Sequence, residues 1–120
     1  MTLVPGTKLG PYEVVGPLGA GGMGEVFRAR DTRLGRDVAI KGLPAAFAQN
    51  PERLARFQRE ARLLASLSHA NVAGIFGLEE ADGATYLVLE LVEGETLTTR
   101  LVRGPLPVRE ALDVAVQVAA

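Results

Sequence analysis

The chain has no cysteine, one histidine (His69), and lysine only at positions 8 and 41. Without cysteine, disulfides, thiolate zinc sites and cysteine nucleophiles are excluded. With a single histidine, histidine-rich metal sites and most Ser-His-Asp arrangements lack material. Excess charge is also missing. The formal net charge of −1 points to neither nucleic acid nor a membrane surface as partner. Residues 1–10 lack a basic stretch followed by an apolar one, so no signal peptide is expected. No uninterrupted apolar run approaches membrane-spanning length. This stretch is therefore expected to be soluble and cytoplasmic. There is no internal repeat and no low-complexity tract.

What is present is a chain of 120 residues, 48% of them hydrophobic, enough for one domain with a modest core. Its organising stretch runs from Leu18 to Lys41. Gly19, Gly21 and Gly24 make a G-x-G-x-x-G. In a dinucleotide-binding fold the third glycine opens a helix. Here Val26 and Phe27 follow, which favour a strand. The alternative phosphate loop that ends in Gly-Lys-Ser/Thr is absent. The glycines therefore sit in a hairpin between two strands, and Val38-Ala39-Ile40-Lys41 follows on a third. Glycine lets a backbone approach phosphate oxygens closely, with its N–H groups turned to the anion. Strand alternation puts Ala39 and Lys41 on one face, the small residue leaving room for a flat ring and the cation reaching phosphate.

Residues 1–11, with Pro5, Gly6, Gly10 and Pro11, read as an irregular lead-in. Strands are expected at 12–18, 24–31, 37–41, 72–78 and 85–91. Pro17 argues for an edge or a bulge in the first, and Asp82-Gly83 for a hairpin turn between the last two. Between the third and fourth, Asn50 is a good N-cap, Pro51 suits the first helical position and Glu52 the first turn. Leu54, Phe57, Ala61, Leu64 and Leu67 then recur at helical spacing as one apolar stripe. Short helices are expected at 96–102 and from 108 onward. The last is apolar almost all round, as a core helix is, and the sequence stops within it.

At about 100° per residue Glu60 falls inside the apolar stripe, between Leu64 and Leu67. A carboxylate there is costly unless paired, and Lys41 is the economical partner. Leu89-Glu90-Leu91-Val92 leaves a central strand with free N–H and C=O groups able to bond the edge of a planar base. His69 reads as a loop residue with a local hydrogen bond. Asp31, Asp37 and Glu25 read as solvated partners of nearby arginines.

These motifs together resemble the start of a bacterial serine/threonine protein kinase of the eukaryotic-like family. The resemblance runs from Gly10 to Ala120. It rests on Gly-Pro-Tyr-Glu-Val at 10–14, Leu-Gly-Ala-Gly-Gly-Met-Gly-Glu-Val-Phe at 18–27 and Val-Ala-Ile-Lys at 38–41. It is extended by Arg-Glu-Ala at 59–61, Leu-Ser-His-x-Asn at 67–71 and Leu-Val-Leu-Glu-Leu-Val-Glu-Gly at 87–94. It implies an α+β fold: a small lobe over 12–91, made of a five-stranded antiparallel sheet and one main helix, then a hinge and the first helices of a truncated large lobe over 92–120. It implies that Leu18, Val26 and Ala39 sandwich adenine. Gly19, Ala20, Gly21, Gly22, Met23 and Gly24, with their neighbour Glu25, would cover the phosphates of ATP. Lys41 would contact the α- and β-phosphates and pair with Glu60. Leu89 would be the gatekeeper, with the Glu90 carbonyl and the Val92 backbone bonding the adenine edge.

Two positions depart from the family pattern: Ala70 in place of proline and Gly42 in place of a branched apolar residue. More consequentially, the sequence contains neither His-Arg-Asp nor Asp-Phe-Gly. The base and the Mg2+ ligands are therefore expected outside this chain. The implied reaction is transfer of the γ-phosphoryl of Mg-ATP to a serine or threonine of a protein substrate, with these 120 residues alone inactive. The rival is a non-catalytic nucleotide-binding or regulatory fragment, or a pseudokinase.

Overall fold

The computed structural model describes residues 3–21, 24–43 and 49–120, with main chain only at 20, 21 and 24. The described elements are β1 (Lys8–Leu9), β2 (Tyr12–Gly21), β3 (Gly24–Asp31), β4 (Arg36–Gly42), α1 (Pro51–Ala65), β5 (Ile75–Ala81), β6 (Ala84–Glu90), α2 (Leu97–Val102) and α3 (Val108–Ala119). The strands form one antiparallel sheet in the order β1-β2-β3-β4-β6-β5.

Alternation builds the core. Phe27 lies opposite Ile40, Ala29 opposite Val38, and Ile40 opposite Val88, so these side chains share one face. All are buried, together with Val14 and Tyr86. The α+β class and the antiparallel sheet are as expected, but the sheet has a sixth strand. The lead-in is not irregular throughout: Lys8 and Leu9 pair with Glu13 and Tyr12, and Leu3 and Leu9 enter the core. Gly10, at φ +57°, makes the reversal that this pairing needs. A Cβ there would lie 2.8 Å from the Glu79 carboxylate, so the β1–β2 turn abuts β5 and the two edges of the curled sheet meet.

Pro17 sits between two register irregularities in β2, one at Val15 and one at Leu18. That is where a residue with no N–H is tolerated. Asp31 is no solvated ion-pair partner. It is buried, and its Oδ1 accepts hydrogen bonds from the N–H groups of Arg33 and Leu34, each at 3.0 Å. It thereby closes the β3–β4 turn as an Asx turn. Asp37 does pair with arginines, Arg28 at 2.9 Å and Arg30 at 3.0 Å.

α1 starts where its sequence dictates: Asn50 Oδ1 accepts from the N–H groups of Glu52 and Arg53. Its docked face is narrower than the apolar stripe. Ala61 is buried and Leu54, Phe57 and Gln58 partly so, while Leu64 and Leu67 are 52% and 62% exposed. The helix lies against β5, with Gln58 Nε2 donating to Glu80 Oε1 at 3.2 Å.

β5 begins and ends three residues later than expected. The reversal needs only Asp82 (φ +50°) and Gly83 (φ +78°), so Glu79, Glu80 and Ala81 stay in the ladder opposite Tyr86, Thr85 and Ala84. β6 is central, between β4 and β5. α2 is capped by the Thr96 hydroxyl. α3 does not occupy a core: Val108, Leu112, Val116 and Val118 are all exposed, because no described element lies over them. Among the described residues no helix is long and apolar enough to cross a membrane.

Candidate nucleotide-binding face

The sheet face opposite the core carries the residues singled out from the sequence. Two transverse rows cross it. In one, Gly19 lies opposite Val26, Val26 opposite Lys41, and Lys41 opposite Leu87. In the other, Arg28 lies opposite Ala39 and Ala39 opposite Leu89. Directly opposed residues of antiparallel strands project to the same side, and strands stand about 4.8 Å apart. Lys41 is therefore about two strand spacings from Gly19 across the sheet. Val26 and Leu89 are half-buried, Ala39 is buried, and Leu18 is 45% exposed at its bulge. The main chain of Ala20 and Gly21 pairs with Glu25 and Gly24, forming the arms of the expected glycine hairpin. Gly22 and Met23 lie outside the described residues.

The Lys41–Glu60 pair is not present in this structure. Glu60 Oε1 instead accepts from Arg56 Nε at 3.1 Å, one helical turn away, with its side chain 58% exposed. The reason is angular. The stripe that enclosed Glu60 was broad because it included Leu64 and Leu67, and both are exposed. The face that touches the sheet is centred between Phe57 and Gln58 and includes Ala61. At about 100° per residue Glu60 lies roughly a quarter-turn or more from that centre. Gln58 joins α1 to Glu80, which shares a face of β5 with Leu78, and Leu78 lies opposite Leu87. The helix and Lys41 are thus on the same side of the sheet.

At the end of β6, Glu90 is held twice to Gly74. Its N–H donates to the Gly74 carbonyl at 2.8 Å, and its Oε1 accepts the Gly74 N–H at 3.0 Å. Val92 beyond it is 66% exposed, and among the described residues its N–H makes no main-chain hydrogen bond. His69 behaves as expected, its Nδ1 accepting the N–H of Asn71. Tyr86 occupies the space beside Gly42, its ring 3.5 Å from where a Cβ would stand. A groove of about 370 Å³ lies behind the hinge, between residues 70–73 and α3. Among the described residues no group of three or more His, Asp or Glu is placed to hold a metal ion.

Sequence reading missed Arg28. Its guanidinium bonds Asp37 and also Glu93, just past the hinge, at 2.9 Å. No sequence periodicity connects residues 65 positions apart. The one available signal was an arginine on the strand directly preceding Val-Ala-Ile-Lys, at alternate spacing from Val26.

A curled antiparallel sheet with one docked helix, and with a glycine hairpin and a strand lysine on the helix side, is the small lobe of a protein kinase. A protein kinase domain model matches residues 12–120, and the chain belongs to that family, as the N-terminal part of a domain of the bacterial serine/threonine type. It is 42% identical over 110 residues to serine/threonine-protein kinase PrkC of Bacillus subtilis (strain 168), covering 91% of this chain and 17% of that protein. It is 43% identical over 117 residues to serine/threonine-protein kinase PknA of Mycobacterium tuberculosis (strain ATCC 25618 / H37Rv), covering 92% of this chain and 27% of that protein. The crystal structure of the Mycobacterium tuberculosis PknI kinase domain matches with a TM-score of 0.85 at 33% identity, over 98% of this chain and 49% of that one. The chain thus spans under a third of these curated relatives and about half of the solved kinase domain.

Proposed function

We propose that residues 12–91 form the ATP-binding small lobe, and residues 92–120 the hinge and first helices of the large lobe, of a serine/threonine kinase acting in the cytoplasm. In the complete protein the γ-phosphoryl of ATP passes to a serine or threonine hydroxyl of a protein substrate. The observation that carries this reading is the shared face: Gly19, Val26, Lys41 and Leu87 in one row, Ala39 and Leu89 in the next. Adenine fits against Ala39, between Leu18 and Val26, with its edge toward the Glu90 carbonyl and the Val92 backbone. The phosphates lie under the hairpin of residues 19–25, within reach of the Lys41 ammonium. When bound, Mg2+ neutralises charge on the phosphates, and its ligands belong to residues outside this chain. Lys41 holds the α- and β-phosphates as a point charge.

In the working state Glu60 pairs with Lys41, which requires α1 to turn or shift. Its present partner supports this. An exposed i,i+4 pair is worth about 0.3–0.5 kcal/mol, so exchanging Arg56 for Lys41 gives up little. Residues 1–120 alone transfer no phosphoryl group, because the base and the metal ligands are elsewhere. Mg2+-dependent labelling of a protein substrate by the pure chain would refute that. The main test is Lys41→Met in the complete kinase. Phosphoryl transfer should fall by about 100-fold or more, with thermal unfolding unchanged. Near-native turnover would sink the assignment.

A further inference from the structure

Glu90 ends β6, and the chain from Leu91 to Gly94 belongs to no strand or helix. Among the described residues, the hydrogen bond that joins this segment to the sheet is the one from Arg28 Nη2 to Glu93 Oε1, 2.9 Å long. The next fastener, Glu95 with Arg103, ties the chain forward to the end of α2 instead. Arg28 itself is well held. Its Nε donates to Asp37 Oδ2 at 3.0 Å, its Nη2 lies 2.9 Å from the same oxygen as an ion pair, and Asp37 Oδ1 is taken by Arg30. The guanidinium is planar, so contact with Asp37 through two nitrogens fixes its orientation and leaves Nη2 directed at Glu93. The ordering of the arginine is therefore already accounted for before Glu93 binds, unlike that of an isolated surface pair.

We propose that Arg28 is a positioning residue for the nucleotide: braced by Asp37, it fastens Glu93 to the β3–β4 face and so fixes where the Val92 main chain stands relative to Ala39. This rests on the reading that Ala39 and Val92 flank the base. Arg28 and Ala39 are directly opposed in the ladder, so the fastening acts at the row where the base would lie. Arg28 touches no reacting atom. It acts through the hinge, so its loss falls on ATP binding more than on turnover.

The test uses the complete kinase with Glu93→Gln, Arg28→Lys and the double variant. Steady-state kinetics in ATP are combined with amide exchange at residues 91–94. Glu93→Gln leaves the Arg28–Asp37 contact in place and is the cleaner probe. Each single variant should raise KM for ATP about two- to fivefold, with kcat at saturating ATP changing less. The double variant should be no worse than the weaker single, because both remove one contact. Exchange at 91–94 should quicken in all three, and high salt should narrow the gap from the native protein. Native KM values and native exchange in both single variants, in a protein that binds ATP, would overturn the role of Arg28 and leave the nucleotide reading standing. Strict additivity in the double variant would also overturn it. A native protein that binds no ATP overturns both.

Discussion

Replacing Arg56 with glutamine should make the complete kinase more active. Glu60 spends its charge on Arg56 at 3.1 Å, in a pair whose side chains are 76% and 58% exposed. Such a pair contributes about 0.3–0.5 kcal/mol. Whatever else moving α1 costs, removing this contribution multiplies the population in which Glu60 is free for Lys41. The factor is about 1.7 to 2.3 at 25 °C, as long as the unpaired arrangement dominates. Glutamine is the right replacement because its helix propensity is close to that of arginine, so the helix itself is not perturbed. The assay is kcat/KM for ATP with a fixed peptide substrate, measured for the native protein, Arg56→Gln, Glu60→Gln and the double variant. The gain should appear in Arg56→Gln and vanish in the Glu60→Gln background, where activity is low throughout. An unchanged or reduced kcat/KM in Arg56→Gln would refute the exchange. So would a gain that survives the loss of Glu60.

Three further outcomes concern the fold. Ile40→Ala, at a fully buried position in β4, should cost about 2–5 kcal/mol by urea unfolding; a loss under about 1 kcal/mol would mean the core is not built around it. Gly10→Ala should cost about 1–2 kcal/mol. Most of that is strain at φ +57°, because the Glu79 carboxylate can swing aside, so removing Glu79 as well should recover only a minor part. Hydrogen bonds from Arg30 and then Arg28 hold the Asp37 carboxyl below its ordinary range. A lowered carboxyl contributes stability that is present above the ordinary aspartate value and is lost as pH falls through the depressed one. Asp37→Asn should flatten the acid limb of the stability curve, and an unaltered limb would count against the contribution.

Features set by neighbouring residues were legible in the sequence. Asn50-Pro51-Glu52 starts a helix through its own hydrogen bonds, and Asp82-Gly83 turns a hairpin through its own dihedrals. Successive side chains of any strand point to opposite faces, so the assignment of Ala39 and Lys41 to one face needed no partner to be known. Features set by distant partners were not legible. Two residues, Lys8 and Leu9, make a strand only because Glu13 and Tyr12 stand opposite. Asp31 has arginines at 28, 30 and 33 within three residues, so a solvated pair was the natural reading; the Asx turn that buries it depends on how the chain folds back over it. The angular place of Glu60 depended on which leucines found cover, and spacing alone cannot tell a covered leucine from a bare one. The Arg28–Glu93 bond joins two segments that only the folded sheet brings together.

The uneven support along β2 has a mechanical consequence. β1 pairs with Tyr12 and Glu13, so among the described residues the strand from Gly16 to Gly21 has β3 as its one sheet neighbour. Among the described residues, the ladder partners of Glu25 and Gly24 on the returning strand are Ala20 and Gly21. This arm is a cantilever, clamped at one end in the buried layer of Val14 and Phe27 and, among the described residues, laddered to no further strand along one side. Its two irregularities, at Val15 and Leu18, lie near the clamp, where a beam bends most. A load on the arm is therefore taken up as flexure at its root and does not reach Ile40 or Val88. β4, braced on both sides by β3 and β6, carries Ala39 and Lys41 and does not bend with it. The result is a compliant roof over a stiff floor: the roof can follow the size of what is placed beneath it while the floor keeps its geometry.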